Sequence, residues 1–200
     1  MKRVRTLSFS FLLIAAAAGL AAGRAEALPL PPAGDLASAD PATVDISTLT
    51  LGTVESLHPT GSPFLIDDIE QWRLHVTGAA LEAPMDLSYA DLQAMPMVTK
   101  KVLLVCPGFF ADFVEWEGVP VSALLEKAGA RGDWSRIVFT SWDGYPGRFD
   151  REEVDAHLMF LALRVNGQVL PAEHGYPVRL VAEHLYGGRW VKWITSVTVD

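Results

Sequence analysis

Hydrophobic and polar positions divide the chain into three stretches with different patterns. A mostly apolar run covers residues 7–22, the stretch after it is rich in Pro, Ala, Gly, Ser and Asp, and from Thr48 onward short apolar segments alternate with turn residues. These patterns are typical of an export signal, a lead-in that buries little surface, and a folded region. The sequence therefore predicts a signal peptide at residues 1–27, a flexible lead-in at 28–47 and one domain at 48–200.

Short runs of aliphatic, β-branched and aromatic residues recur through the predicted domain, and Gly, Pro, Asn or Asp bound most of them. Such runs predict strands. Asn166-Gly167 between two of them is the strongest hairpin signal in the chain, whereas the aromatic segment 109–117 is predicted to be a loop. The predicted strands are residues 48–54, 72–77, 102–106, 137–141, 159–165, 168–170, 178–182 and 189–199.

Three capping signals predict helices, all of them short. The signals are Ser88 with Asp91, Ser122 ahead of a helix that ends at Gly129, and Asp150 with Glu153. Because strands dominate and the helices are short, the predicted fold class is α+β, a single domain built on a mixed sheet.

The strand that ends at Cys106 holds the only cysteine of the chain. Pro107-Gly108 stops this strand directly after the thiol, so the sulfur lies where the backbone turns outward and where ligands often bind. One cysteine cannot form an internal disulfide. Two interpretations stay open at this point, a metal or ligand contact and a small hydrophobic core residue.

The apolar N-terminal run indicates where the protein is located, and the net charge limits which classes of partner it can bind. The basic start with Arg3, together with the small residues Ala25 and Ala27, completes the pattern of a cleaved signal peptide, so we expect a periplasmic or secreted protein. The formal net charge is −8 at pH 7. This acidity disfavours nucleic acid and anionic membranes as partners, although a local cationic pocket could still bind an anion.

Basic residues and glycines concentrate in the C-terminal third of this acidic chain. Arg179, Arg189 and Lys192 lie close in sequence to Gly188, with His174 shortly before them. Arg and Lys bind phosphate oxygens, and glycine lets backbone N–H groups approach an anion closely. The segment is therefore either a phosphate site or a set of solvated charges on strand edges.

Several motifs together resemble the sulfite oxidase superfamily, specifically its molybdopterin-binding domain, over about residues 72 to 200. They are Cys106 after a hydrophobic strand, Trp116-Glu117-Gly118-Val119-Pro120, Asp143-Gly144-Tyr145, Asn166-Gly167, His174-Gly175-Tyr176-Pro177-Val178-Arg179 and Gly188-Arg189-Trp190-Val191-Lys192-Trp193.

The resemblance implies a molybdenum oxidoreductase that transfers oxygen atoms. Its cofactor is a molybdenum bound by a pyranopterin dithiolene, with the Cys106 thiolate as the protein ligand of the metal and Tyr145 near the substrate. A soft thiolate suits such a redox-active metal. The positions that the resemblance assigns to the pterin and its phosphate are His174, Arg179, Gly188, Arg189 and Lys192.

Two departures from the family pattern bear on the function. Sulfite-oxidising members place an Asn and an Arg shortly after the cysteine, whereas Phe109, Phe110 and Ala111 stand here. This change disfavours sulfite and favours either a less charged S-oxide or N-oxide or no substrate at all. The second departure is Lys2-Arg3-Val4-Arg5, which lacks the adjacent arginines of the export route that carries folded cofactor proteins.

The leading hypothesis is an exported molybdenum-cofactor oxidoreductase that acts on a small S- or N-containing substrate. Such an enzyme would exchange electrons with a separate protein, for which a cytochrome is the natural candidate, and we expect a monomer. The alternative is a cofactor-free periplasmic binding or interaction domain that retained the fold. A third hypothesis, nucleophilic catalysis by Cys106 with His174 or His184, lacks an orienting residue in the sequence.

Overall fold

The computed structural model describes residues 36–200, so the predicted signal peptide lies outside the described residues. Ten strands and three short α-helices make up this part. The strands are β1 (Leu74–Thr77), β2 (Met85–Leu87), β3 (Val98–Cys106), β4 (Phe110–Pro120), β5 (Arg136–Ser141), β6 (Pro146–Asp150), β7 (Met159–Val165), β8 (Gln168–Val169), β9 (Arg179–Ala182) and β10 (Ile194–Val199). The helices are α1 (Tyr89–Gln93), α2 (Val121–Lys127) and α3 (Arg151–Ala156).

The strands form two sheets. The first has the order β2-β1-β10-β5-β6, in which β1 and β10 run parallel and the other neighbours antiparallel. The second has the order β3-β4-β7-β8, with β9 also paired to β7, and all of its pairs are antiparallel. Mixed sheets with few and short helices confirm the α+β prediction.

A continuous hydrophobic core joins the two sheets. Trp116 and Phe160 from the second sheet and Phe139 and Phe149 from the first are fully buried in the same cluster. Each such side chain contributes on the order of 1.5–3 kcal/mol by leaving water. No helix in the described part of the chain has the length and hydrophobicity that crossing a membrane requires.

Two of the three predicted helix caps are confirmed. Ser88 forms a capping box with Asp91 at the start of α1, and Asp150 forms one with Glu153 at the start of α3. The Ser122 prediction is wrong, because β4 remains paired to β7 as far as Pro120 and α2 begins directly after it. Pro120 is the N-cap residue and Ser122 already lies inside the helix.

The strand predictions fail mainly where burial does not alternate. The predicted loop at 109–117 is most of β4, a central strand whose burial does not alternate regularly, since Asp112, Phe113 and Val114 are buried in succession. Alternation cannot reveal such a strand. The short strands β2 and β6 were not predicted, and the predicted last strand begins only at Ile194.

The predicted strand at 48–54 is wrong, because this stretch makes isolated hydrogen bonds rather than a ladder. Gly52 N–H donates to Phe113 O at 2.8 Å, and Asn166 Nδ2 donates to Gly52 O at 2.9 Å. The preceding residues that are described, 36–47, include Val44 and Ile46, which pack against a small cluster around Leu103. This N-terminal segment therefore lies against the outer face of the second sheet and leads into the site.

Candidate active site

One cavity of about 340 Å³ collects residues from both sheets and from the N-terminal segment. The β3–β4 hairpin contributes the thiol, the end of β5 and the turn after it contribute polar groups, and the segment around β9 and β10 contributes cations and tryptophans. The lining residues are His58, Thr60, Gly61, Leu104, Cys106, Phe110, Ser141, Asp143, Tyr145, Arg179, Gly187, Gly188, Trp190, Lys192 and Trp193.

Cys106 ends β3 at a tight hairpin. Its backbone carbonyl accepts a hydrogen bond from Phe109 N–H at 3.0 Å, and Gly108 takes the positive φ of 77° that the turn requires. Cys106 lies directly opposite Phe110 in the ladder, so both side chains face the same side of the sheet. The thiol packs at the edge of the core, is partly exposed and lines the cavity, so core packing alone does not describe its position.

Arg179 begins β9 as a buried cation, only 5% exposed. Its guanidinium carbon lies 4.7 Å from the centroid of the Trp116 ring and 5.4 Å from that of Trp190. Nη1 donates to the carbonyl oxygen of His174 at 3.1 Å, whereas Nε is buried without a partner. Burial lowers the Arg179 pKa to about 10, and the Asp112 carboxylate opposes this shift, so the side chain is positively charged at neutral pH.

Lys192 is the second cation of the cavity. Its ammonium donates to the backbone carbonyls of Thr60 and Glu173 and lies 4.3 Å from the Trp193 ring centroid. Burial, and then the positive charge of Arg179, lowers the Lys192 pKa to about 8. Within residues 36–200 neither cation forms an ion pair with a carboxylate. Two such charges beside one cavity favour an anionic ligand.

His174 and Gly175 bring the two cations together. Gly175 has a φ of 113°, and a Cβ there would lie 2.9 Å from the Arg179 Cβ and 3.2 Å from the Lys192 Cβ. His174 is buried and its pKa is lowered, first by burial and then by Arg179. The imidazole is not among the groups that line the cavity. Its contact with a cofactor therefore stays a prediction.

Gly188 and Tyr145 close the opposite wall of the cavity. The Tyr145 hydroxyl donates to the Gly188 carbonyl at 2.7 Å, which joins the loop after β5 to the short 3-10 helix Gly187–Arg189. A Cβ at Gly187 would lie 2.8 Å from Leu104 Cδ1, so this backbone passes close to β3. Both predicted residues line the same cavity as Cys106.

Arg189 points to a different part of the molecule. Nη2 donates to Glu153 Oε1 at 2.8 Å and to the Arg148 carbonyl at 2.9 Å, and the guanidinium carbon lies 4.5 Å from the Phe149 ring centroid. Arg189 does not line the cavity. The sequence left open that these residues are solvated charges on strand edges. Arg179 does not fit that interpretation, because it is buried.

The sequence offered no signal for the pair formed by His58 and Asp112. His58 Nδ1 lies 2.7 Å from Asp112 Oδ1, and its ring stacks on Phe110 with centroids 4.6 Å apart. His58 lines the cavity, whereas His174 and His184 do not. Since 54 residues separate His58 from Asp112, no local pattern could pair them.

A cysteine thiol, two cations without an ion-pair partner among residues 36–200 and a wall of aromatic rings form a cavity that suits an anionic ligand. Residues 61–200 match the family described as "Oxidoreductase molybdopterin binding domain". The chain therefore belongs to this family, and the resemblance to the sulfite oxidase superfamily is confirmed.

Similar proteins are known from several organisms. "Uncharacterized oxidoreductase YuiH" of Bacillus subtilis (strain 168) is 30% identical over 142 residues, which are 70% of this chain and 71% of that protein. "Sulfite oxidase, mitochondrial" of Rattus norvegicus is 28% identical over 162 residues, which cover 66% of this chain and 30% of the enzyme. The chain thus spans less than a third of the length of the sulfite oxidase.

A solved structure also resembles this fold. It is that of the sulfane dehydrogenase SoxCD from Paracoccus pantotrophus, with a TM-score of 0.61 and 26% sequence identity. The alignment covers 68% of this chain and 39% of the SoxCD chain.

The residues of the cavity fit a molybdenum-pterin group. Arg179 Nε and the Ser141 hydroxyl are buried without hydrogen-bond partners, so a polar ligand would satisfy groups that the protein leaves unpaired. Among the described residues no group of three or more His, Cys, Asp or Glu side chains is arranged to hold a metal ion. Cys106 is a soft donor in its thiolate form, and the two cations suit a phosphate.

Proposed function

We propose that this member of the family is an exported molybdenum-cofactor oxidoreductase that transfers an oxygen atom to or from a small S- or N-containing molecule. Family membership supports the cofactor class. The single observation that carries the proposal is that Cys106 shares one cavity with Arg179 and Lys192, cations that have no carboxylate partner in the described structure. The exported location rests on the N-terminal sequence pattern alone.

The residues would divide the work of holding the cofactor. Cys106 would bind molybdenum as a thiolate, and Arg179 and Lys192 would bind the anionic pterin phosphate, with Gly188 allowing close approach of the backbone. Bound in this way, the cofactor supplies oxygen-atom transfer and the accompanying two-electron change. Trp116 and Trp190, whose rings meet edge to face, both contact the Arg179 guanidinium, so the cation is held in place before the anion binds.

The cavity favours a weakly charged substrate. Phe110 and Trp193 present aromatic surface, and Phe109, which is 81% exposed, extends it outside the cavity mouth. The turn after Cys106 presents no side-chain cation. Reduction of an S-oxide or N-oxide consumes two electrons and two protons and releases water, so it requires an external electron donor, for which we propose a cytochrome.

The alternative, a cofactor-free periplasmic binding domain with the same fold, is favoured by one observation. Lys2-Arg3-Val4-Arg5 has no adjacent arginines, and an ordinary signal would export the chain unfolded and without a cofactor. This domain would use the same cavity for an anionic ligand.

Metal analysis of the whole chain distinguishes the two functions. Protein purified from a cell that makes and inserts the cofactor should contain about one molybdenum per chain and show a sulfur-to-metal charge-transfer band. Cys106→Ser should lose the band and the activity while the circular dichroism spectrum is retained, because a hydroxyl is a harder and poorly ionised ligand. Wild-type protein without molybdenum would overturn the enzyme proposal and favour the binding domain.

A further inference from the structure

We infer that His58, held by Asp112, contacts the oxygen of the substrate at the mouth of the cavity. This inference rests on the proposed oxygen-atom transfer and names a substrate contact for it. His58 lies just before residues 61–200, the part of the chain that matches the family.

Asp112 fixes which nitrogen of His58 faces the cavity. The carboxylate is buried, 6% exposed, and both of its oxygens accept from His58: Oδ1 lies 2.7 Å from Nδ1 and Oδ2 lies 3.1 Å from the backbone nitrogen. Because a carboxylate only accepts hydrogen bonds, Nδ1 carries a proton. Nε2 on the other side of the ring is left for a ligand, and it has no hydrogen-bond partner among the described residues.

Stacking fixes the plane of the imidazole. The His58 and Phe110 rings lie 4.6 Å apart with an angle of 12° between their planes. Phe110 is the cross-strand neighbour of Cys106, so ring, phenyl and thiol follow one another along the same face of the hairpin. His58 and Cys106 both line the cavity. The free nitrogen therefore borders the space in which the proposed reaction takes place.

Several of the other polar side chains of this cavity already have contacts or are buried. The Tyr145 hydroxyl donates to Gly188 O, Asp143 accepts from the Tyr145 N–H at 3.0 Å, and the Lys192 ammonium donates to two carbonyls. The Ser141 hydroxyl is fully buried. The His58 imidazole is thus an accessible group with a free nitrogen, and in its protonated form it can donate to a substrate oxygen.

The chemistry of the pair matches an oxide substrate. In the imidazolium form Nε2 carries a proton and can donate to an S=O or N–O oxygen, and the Asp112 carboxylate offsets the positive charge. The aromatic rings of Phe110 and Trp193 suit the small apolar substituents of such a molecule. The geometry therefore favours neutral sulfoxides and N-oxides over sulfite.

The test compares two histidines in the same kind of pair. His58→Phe keeps a ring against Phe110 but removes both nitrogens, and His58→Gln restores a side chain that hydrogen-bonds. His75 is the matched control, since its Nδ1 lies 2.6 Å from Asp86 Oδ1 but the pair is exposed and does not line the cavity. Each variant is made in the holoenzyme and assayed with dimethyl sulfoxide and trimethylamine N-oxide.

We expect His58→Phe to raise KM at least tenfold with an unchanged molybdenum content, His58→Gln to recover part of the loss, and His75→Phe to stay within twofold of wild type. A second measurement does not depend on turnover. In nitrogen NMR of the oxidised wild-type protein, the His58 Nε2 resonance should shift saturably with either probe, whereas the His75 resonance should not. Asp112→Asn should abolish the preference for a proton on Nδ1.

The outcomes separate this inference from the proposed function. Wild-type protein without molybdenum overturns both. Molybdenum-loaded protein in which neither probe shifts the Nε2 resonance, or in which His58→Phe leaves KM within twofold, overturns the substrate contact alone. A parallel loss of molybdenum and activity in His58→Phe also overturns it, because His58 would then hold the cofactor.

Discussion

Arg179 and Arg189 lie ten positions apart in one basic segment, yet their surroundings have little in common. Arg179 is buried against two tryptophan rings and donates to a backbone carbonyl. Arg189 has a side chain that is 40% exposed and pairs with Glu153 on the far side of the segment. Among the described residues, Arg189 forms an ion pair with a carboxylate and Arg179 does not.

This difference indicates which charges are available to a ligand. A buried cation without a carboxylate is costly in free energy, and an anionic ligand would relieve that cost. A half-exposed ion pair contributes little to stability, and binding another anion would stabilise its cation little further. The comparison therefore supports the proposal that Arg179 and Lys192 bind the cofactor, whereas Arg189, which the family resemblance alone would treat like them, contacts α3 and β6.

The largest effect is expected for Arg179→Met. Methionine can still pack against Trp116 and Trp190 but removes the charge, so molybdenum content should fall about 10- to 100-fold at limiting cofactor, in line with the roughly 1.5–3 kcal/mol of a hydrogen bond to a charged group. The free energy of unfolding of the cofactor-free protein should hold or rise, because a buried charge is gone. Metal analysis checks the molybdenum content, and denaturant titration checks the free energy of unfolding.

Unfolding of this variant would show that Arg179 is needed for the core, and Arg179→Lys then serves as the second variant. Lysine keeps the charge but cannot reproduce the planar fork. Full cofactor occupancy in both variants would contradict the phosphate assignment.

A smaller, pH-dependent effect is expected at Lys192. Because the folded-state pKa is lowered to about 8, the ammonium is charged below that pH and becomes neutral above it. Affinity of the cofactor-free protein for sulfate, which stays divalent throughout, should therefore decrease as pH rises from 7 to 9. Lys192→Met should bind sulfate more weakly at pH 7 and lose this step, as calorimetric titration would show.

The exposed Lys100 on β3 offers the control, since Lys100→Met should leave both the affinity and its pH dependence unchanged. The same lowered pKa has a consequence for stability. Between about pH 8 and the higher pKa of an unfolded lysine, the unfolded chain binds more protons, so the Lys192 contribution should favour folding increasingly as pH rises. Equal sulfate binding at pH 7 and 9 would contradict the assignment.

Sequence reasoning succeeded where the signal is local. The Asn166-Gly167 hairpin and the capping boxes at Ser88 and Asp150 need only neighbouring residues, and all are confirmed. It failed for β4, where Asp112, Phe113 and Val114 are buried in succession and interrupt the alternation.

At the site, the motif resemblance named five residues that line the cavity, namely Cys106, Tyr145, Arg179, Gly188 and Lys192. It could not separate Arg179 from Arg189, because the direction of each side chain depends on tertiary partners such as Trp116 and Glu153. The pairing of His58 with Asp112 arises only when the N-terminal segment packs against β4. Contacts between residues so far apart in the chain leave no local pattern in a single sequence.

The smallest effect is expected for Arg189, and it tests most directly whether Arg189 differs in role from Arg179. Arg189→Met removes an ion pair with Glu153 and a contact with Phe149, each worth at most about 1 kcal/mol at a half-exposed position. Molybdenum content should stay within twofold of wild type, while the free energy of unfolding decreases by about 1 kcal/mol. A double-mutant cycle with Glu153→Gln should give a coupling energy below about 1 kcal/mol.

If Arg189→Met instead lost as much molybdenum as Arg179→Met, the side chain would have to leave Glu153 when the cofactor binds. A counter-charge in the cofactor-free protein would then be no guide to function.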